Sequence, residues 1–188
     1  MYLSNRLVGA MTAFVVVLGM AANSAEAQEK PFKIKGTGVG EHGLPLPGQP
    51  ARPHTAVGNA THLGNYTGAG SVRTLDIVGF DPETGIYYGT FESGSPFVFE
   101  GANGDLLVCD YGHGDNVGTF TLVPTDEEGY FIAYWIADFI PTSASTGKFA
   151  GVTGGWTMYA VSDPFRPGYD EPLSYSWKGE GTLKFAKK

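Results

Sequence analysis

Cysteine and positive charge are both scarce in this sequence, and each shortage excludes a class of protein. The only cysteine is Cys109, so no disulfide can form within the chain. Lys and Arg number 12 against 19 Asp and Glu, the net charge is −7, and no basic stripe is present to bind phosphates. We therefore expect neither nucleic acid nor an anionic membrane as a partner, and we expect apolar burial to hold the fold together.

Long apolar runs are also missing, except for one near the start. The run Leu7–Met20 follows Arg6 and leads to the small residues of Ala25-Glu26-Ala27. It is shorter than the ~20 residues that a membrane helix needs, and this arrangement is typical of a secretory signal peptide. The sequence predicts a signal peptide over residues 1–27 with cleavage after Ala27, and hence a secreted or periplasmic protein without a membrane span.

No segment repeats its apolar residues with the helical period of 3.6. About nine closely spaced segments instead combine β-branched and aromatic residues with intervening Gly, Pro, Asn and Asp, which is typical of short strands. The pair Asn103-Gly104 between two apolar runs indicates a tight hairpin, and Asp81–Gly85 indicates a turn. The sequence therefore predicts an all-β fold in which successive strands are antiparallel.

Glycine is abundant, and its placement indicates that the sheet closes on itself. The segments Lys35–Gly38 and Lys178–Gly181, near the two ends of the region after the signal, both read Lys-Gly-x-Gly. Closure removes unpaired sheet edges. We predict one domain, a single closed antiparallel meander β-barrel of about eight strands. Residues 28–61 supply an N-terminal strand and a Pro/Gly-rich loop, and residues 62–188 supply the rest of the barrel.

The segment Ala144–Trp156 surrounds one large apolar residue, Phe149, with four glycines. Glycines allow strands to bend sharply and backbones to pass closely in a small barrel. We expect Phe149 to plug one end of the barrel before the next strand begins at Trp156.

The segment Tyr130–Phe139 predicts what fills the barrel. Its odd positions alternate large and small apolar residues, which is how the interior of a tapering barrel is filled. The predicted ligand-binding residues are the large ones of this segment together with a tryptophan of the next strand: Phe131, Trp135, Phe139 and Trp156. The even positions are apolar enough that we expect this outer face to join copies of the chain in a homo-oligomer.

Polar residues form no recognisable catalytic or metal-binding motif, so the sequence predicts neither a cofactor nor a metal. The four histidines lack the spacing of metal ligands. Three carboxylates on mostly apolar strands, Glu92, Glu100 and Asp110, are weak candidates for acid–base catalysis if burial raises their pKa values. The alternative is that each lies at a strand end in water. Cys109 is expected to be a buried small apolar residue.

Three motifs resemble known barrels. Ser145–Gly154 is similar to the glycine-rich signature of the allene oxide cyclase and dirigent families of eight-stranded barrels. Gly58–Thr67 and Phe99–Asp105 resemble small, calycin-like secreted bacterial proteins that are grouped with those barrels. The sequence departs from the dirigent pattern at Val152, and no residue matches the family's catalytic acid or arginine by motif. The resemblance therefore implies a fold and leaves the activity open.

Two functions follow from these observations. The first is a non-enzymatic exported barrel whose interior is packed or binds a small apolar molecule. The second is a cofactor-independent cyclase or isomerase of the allene oxide cyclase or dirigent type, in which the cavity folds a reactive substrate. A cavity lined by two or more ionisable groups without solvent contact would favour the second, and a filled interior would exclude both ligand binding and catalysis.

Overall fold

The strands that the turn residues predict form one continuous sheet. The structure, a computed structural model, describes residues 28–112, 114 and 116–186, so the predicted signal peptide lies outside the described residues. The strands among them are β1 (Gln28–Gly40), β2 (Arg52–Ala60), β3 (Gly64–Asp81), β4 (Ile86–Gly101), β5 (Leu106–Tyr111), β6 (Gly118–Pro124), β7 (Phe131–Pro141), β8 (Thr153–Ser162) and β9 (Leu173–Phe185). A 3-10 turn, Gly147–Phe149, lies between β7 and β8.

The sheet closes into a barrel because its first and last strands pair. β1 pairs antiparallel with β9 along its whole length, from Gln28 opposite Phe185 to Gly40 opposite Leu173. β5 and β6 together occupy one position between β4 and β7, since β4 pairs with β6 near its start and with β5 near its end. The nine strands therefore form a closed antiparallel barrel of eight positions, and the predicted fold class is confirmed.

Two predicted turns have the expected geometry. Gly85 and Gly104 adopt positive φ angles of 71° and 81°, which L side chains rarely tolerate. The N–H of Gly85 donates to the carbonyl of Asp81 at 2.8 Å. These turns join β3 to β4 and β4 to β5.

The alternation predicted for β7 is present. Ala133, Trp135, Ala137 and Phe139 are buried, whereas Tyr134 and Ile136 are exposed. Alternating large and small residues therefore fill the barrel from this strand, as expected.

The terminal glycines provide space for aromatic rings. Gly36 pairs with Trp177 and Gly38 with Tyr175 across β1 and β9. A Cβ at position 38 would overlap the Tyr175 ring, and one at position 36 would lie 2.9 Å from Trp177 Nε1. The two glycines of the Lys-Gly-x-Gly motif in β1 thus leave space for large side chains of the neighbouring strand inside a narrow barrel.

The prediction for residues 28–61 needs a correction. This region contains two strands, because β2 already begins at Arg52. The start of this strand was assigned to the loop because four prolines and three glycines lie between Gly40 and Pro53, a composition that disfavours a central strand. Pro53 is nonetheless accommodated opposite Ser71.

The two ends of the barrel differ. The end at which Gln28, Ala60, Thr153 and Phe185 lie is here called the packed end, and the end at which Gly40, Arg52, Ser162 and Leu173 lie is called the cavity end. Phe149 is fully buried and contacts the ring of Phe185, with 5.9 Å between centroids, so it lies at the packed end.

Within the part of the chain that the structure describes, no helix has the length and hydropathy of a membrane span.

Candidate functional site in the barrel interior

A cavity of about 80 Å³ lies inside the cavity end. Its wall is largely aromatic and includes Phe91, Phe97, Tyr111, Trp135, Phe139 and Tyr175. A water molecule requires roughly 10–15 Å³ on this scale. The cavity therefore has room for several waters. An apolar cavity of roughly 150 Å³ holds benzene, so a molecule of about one ring would have to push the wall of this cavity outwards.

His54 brings polar chemistry into this aromatic wall. Its neighbours Pro53 and Thr55 are exposed on the outer face of β2, so His54 points inwards and lines the cavity. Its Nδ1 lies 2.7 Å from the Tyr175 hydroxyl and its Nε2 lies 2.9 Å from the Tyr111 hydroxyl. Both ring nitrogens are thus hydrogen-bonded to residues of two other strands, β9 and β5.

All three groups of this cluster are neutral near pH 7. Removal from water lowers the pKa of His54 to about 4 because burial disfavours the charged imidazolium. Burial likewise raises the pKa values of the Tyr111 and Tyr175 hydroxyls well above their usual range. The cluster therefore offers hydrogen bonds and no charge.

Arg52 lies where the cavity meets the loops. Its Nη1 donates to the carbonyls of His42 at 2.8 Å and Tyr169 at 3.1 Å, and its Nη2 lies 3.4 Å from Gln49 Oε1. Among the described residues it has no carboxylate partner. Arg52 therefore acts as a tie between the loops of residues 41–51 and 163–172.

These two loops lie together across the cavity end. The N–H of Gly43 donates to the carbonyl of Glu171 at 2.5 Å, and the N–H of Gly168 donates to the carbonyl of Leu44 at 3.1 Å. A hydrogen bond joins the His42 ring to the Asp170 carboxylate. Leu44, buried beneath them, forms part of the cavity wall.

The four predicted ligand-binding residues separate into two groups. Trp135 and Phe139 line the cavity. Phe131 is half-buried at the start of β7, where it pairs with Phe165, and Trp156 lies deeper in the barrel, where it stacks on Phe139 with centroids 5.4 Å apart. The geometry thus brings two of the four to the cavity and leaves the others in the surrounding core.

The three candidate carboxylates do not reach the interior. Glu92 forms an ion pair with Arg73 near the barrel surface, and Glu100 is exposed. Asp110 points outwards because Cys109 and Tyr111, its neighbours on β5, are buried on the inner side. The hypothesis of interior acid–base catalysis by these carboxylates therefore has no geometric support.

The residues that form the polar cluster were not predicted from the sequence. Only Tyr111 had a local signal, because it is an aromatic residue that follows the polar Asp110 on β5. The strand as a whole does not alternate, since Leu107, Val108 and Cys109 are all buried. His54 directly follows the proline-rich stretch in the sequence, and its inward position becomes evident only once β2 is known. Cys109 is fully buried, and burial raises the pKa of its thiol, in keeping with the predicted apolar role.

Within residues 28–112, 114 and 116–186, no three His, Cys, Asp or Glu side chains come together as metal ligands. Comparisons with protein-family models, with curated proteins and with solved structures found no match. The resemblance to the allene oxide cyclase and dirigent barrels therefore stays a prediction that rests on three motifs.

Proposed function

We propose that this protein is an exported β-barrel that binds one small, largely apolar molecule in its interior. The observation that carries the proposal is an aromatic cavity with a single neutral polar cluster, His54 with Tyr111 and Tyr175. Ligand sites are concave and mostly apolar, with a few polar groups that fix orientation. Trp135 and Phe139 supply apolar contact, and the cluster supplies the orienting hydrogen bonds.

The electrostatics favour binding over acid–base catalysis. A general acid or base works best when its pKa is near the working pH. With a pKa of about 4, roughly one His54 side chain in 10³ is protonated at pH 7. His54 is a weak base at that pH, and the two tyrosines are weak acids.

One observation keeps a second candidate function open, a cofactor-independent cyclase or isomerase of the allene oxide cyclase or dirigent type. The cavity is lined by four ionisable side chains, which are Arg52, His54, Tyr111 and Tyr175. Such an enzyme would act mainly by confining a reactive substrate in one conformation. Release of a bound compound unchanged supports the carrier, whereas release of a rearranged compound supports the enzyme.

The test is mass spectrometry of small molecules that co-purify with the protein. We expect a small apolar compound in stoichiometric amount with the unaltered chain and a large loss with His54→Phe. Tyr66→Phe is the matched control, because Tyr66 is a buried tyrosine outside the cavity wall, with its hydroxyl bonded to the Lys35 carbonyl at 3.1 Å. Equal amounts of compound in all three proteins would contradict the proposal.

We also propose that the outer face of β7 and β8 joins copies of this chain. Tyr134, Ile136, Ile140 and Tyr159 are each exposed by nearly half. Ile136 pairs with Tyr159 across the two strands, and Tyr134 lies two residues before Ile136 on the same face, so these three side chains form a patch, with Ile140 beyond Asp138. Burial of such a patch against a second copy would remove apolar surface from water.

A further inference from the structure

The hydrogen bonds of the polar cluster have one consistent direction. The Tyr111 hydroxyl lies 2.5 Å from the Ser71 carbonyl, which can only accept, so Tyr111 donates its single proton there. Tyr111 must then accept from His54. The distances therefore assign the proton of the neutral imidazole to Nε2.

The other half of the cluster follows from this assignment. With its proton on Nε2, His54 has a bare Nδ1, which accepts from the Tyr175 hydroxyl at 2.7 Å. The alternative acceptor for Tyr175, the Thr55 carbonyl, is farther away at 3.3 Å. The hydrogen bonds therefore form one series: Tyr175 donates to His54, His54 donates to Tyr111, and Tyr111 donates to the Ser71 carbonyl.

Each O–H and N–H of this series of hydrogen bonds is therefore already donated to a protein acceptor. The groups left for a ligand are lone pairs on the hydroxyl oxygens of Tyr175 and Tyr111, and these can only accept. The other lining residues with N–H groups are Arg52, whose Nη1 donates to the backbone carbonyls of the loops, and Trp135 and Trp177, whose indole N–H groups lie outside the cluster. A ligand carboxylate or ketone directed at the hydroxyls of Tyr175 and Tyr111 would lose its hydration without gaining a donor from the cluster.

We infer that the ligand is a neutral, largely apolar molecule of about one ring that carries a hydrogen-bond donor, a hydroxyl or an N–H, directed at Tyr175 and Tyr111. This inference rests on the proposed binding function and specifies its ligand class. The donor group would complete the hydrogen bonds of the cluster, and the ring would lie against Trp135 and Phe139. A carboxylate bound by Arg52 is the competing outcome that the test must separate.

The test compares three probes of similar shape by isothermal titration calorimetry at pH 7: 4-methylphenol, 4-methylanisole and 4-methylbenzoate. The phenol carries a donor, the ether has lost it, and the benzoate is an anion. We expect the phenol to bind about tenfold more tightly than the ether, the size of one hydrogen bond, and we expect no measurable binding of the benzoate. His54→Phe should reduce the phenol-to-ether ratio towards one, and Tyr66→Phe should leave it unchanged.

The outcomes separate the two proposals. Equal binding of phenol and ether, or tightest binding of the benzoate, overturns the ligand class and leaves the binding function standing. Failure of all three probes to bind overturns the binding function itself, and the ligand class with it.

A second measurement, made without any ligand, tests the donor-to-acceptor direction of the hydrogen bonds in the cluster. The ¹⁵N resonances of the His54 ring, identified by their absence from His54→Gln, report which nitrogen carries the proton. We expect the Nε2–H form at pH 7. The Nδ1–H form would reverse the direction of the hydrogen bonds in the cluster and overturn the inference.

Discussion

The two ends of this barrel use the same strands in opposite ways. At the packed end, the Phe32 ring contacts the Trp156 ring at a tilt, with centroids 4.7 Å apart, and Phe99 is fully buried. At the cavity end, the aromatic rings stand around a space, and His54 with its two tyrosines lies among them. Alternating inward residues therefore suffice to fill the packed end of the barrel. At the other end, the interior contains a cavity beside a polar cluster that three strands contribute.

The largest expected effect is a loss of stability at the packed end. Phe99→Ala removes a fully buried ring, and we expect the free energy of unfolding to fall by about 3–5 kcal/mol. Met158→Ala is the counterpart in the cavity wall. For Met158→Ala we expect the free energy of unfolding to fall by about 2 kcal/mol, the low end for such a change, because Met158 already borders empty space. Urea denaturation measures both, and equal losses would contradict the contrast between the ends.

The glycines of β1 offer a pair of substitutions two residues apart. Gly38→Ala places a methyl group against the Tyr175 ring, so we expect a loss of about 2–3 kcal/mol together with weaker ligand binding. Gly40→Ala is the matched control, because its nearest neighbours would be 3.9 Å away, and we expect a change within about 0.5 kcal/mol. Thermal denaturation of the two variants separates ring accommodation from a general requirement for glycine.

Acid should weaken the cavity end through His54. Its pKa in the folded protein, about 4, lies below the ordinary value of 6.5, so the unfolded chain binds a proton at a pH where the folded one does not. This contribution is fully present above pH 6.5 and is lost as the pH falls towards 4. Between pH 7 and pH 5 we expect it to lower the free energy of unfolding by about 2 kcal/mol.

The control for this prediction is His54→Gln, which keeps hydrogen-bonding capacity and cannot titrate. Both proteins are denatured in urea at pH 7 and pH 5, so that the other titrating groups cancel in the comparison. Parallel pH dependences would show that His54 is not held neutral inside the barrel.

The smallest expected effect on stability concerns the outer face. Ile136→Lys changes an exposed side chain, so we expect little change in unfolding and a loss of self-association. Val57→Lys is a control on β2, across the barrel from β7. Sedimentation at high concentration measures the assembly, and a monomeric unaltered protein would remove the proposal.

The sequence predicted best those features that depend on the residues of one strand or one turn. The alternation of β7 and the turns at Gly85 and Gly104 depend on local chemistry, and these predictions are confirmed. The pairing of β1 with β9 was also predicted, on the basis of the repeated Lys-Gly-x-Gly motif.

The polar cluster could not be predicted in the same way. His54, Tyr111 and Tyr175 belong to β2, β5 and β9, and a shift of one residue in any register would turn that residue to the outer face. Their meeting depends on barrel closure and on the combined register of several strand pairs, which no local pattern encodes. The prolines before β2 concealed its start as well.

Ligand binding by this barrel requires a neutral His54 held between two tyrosines beside a cavity that a molecule can enter. A crystal structure of the protein, purified without added ligand, tests this most directly. We expect density for a small molecule or ordered waters beside Trp135 and Phe139, with His54 hydrogen-bonded to both tyrosines. An interior filled by protein side chains at that place, with His54 turned out to solvent, is the result that would overturn the proposal.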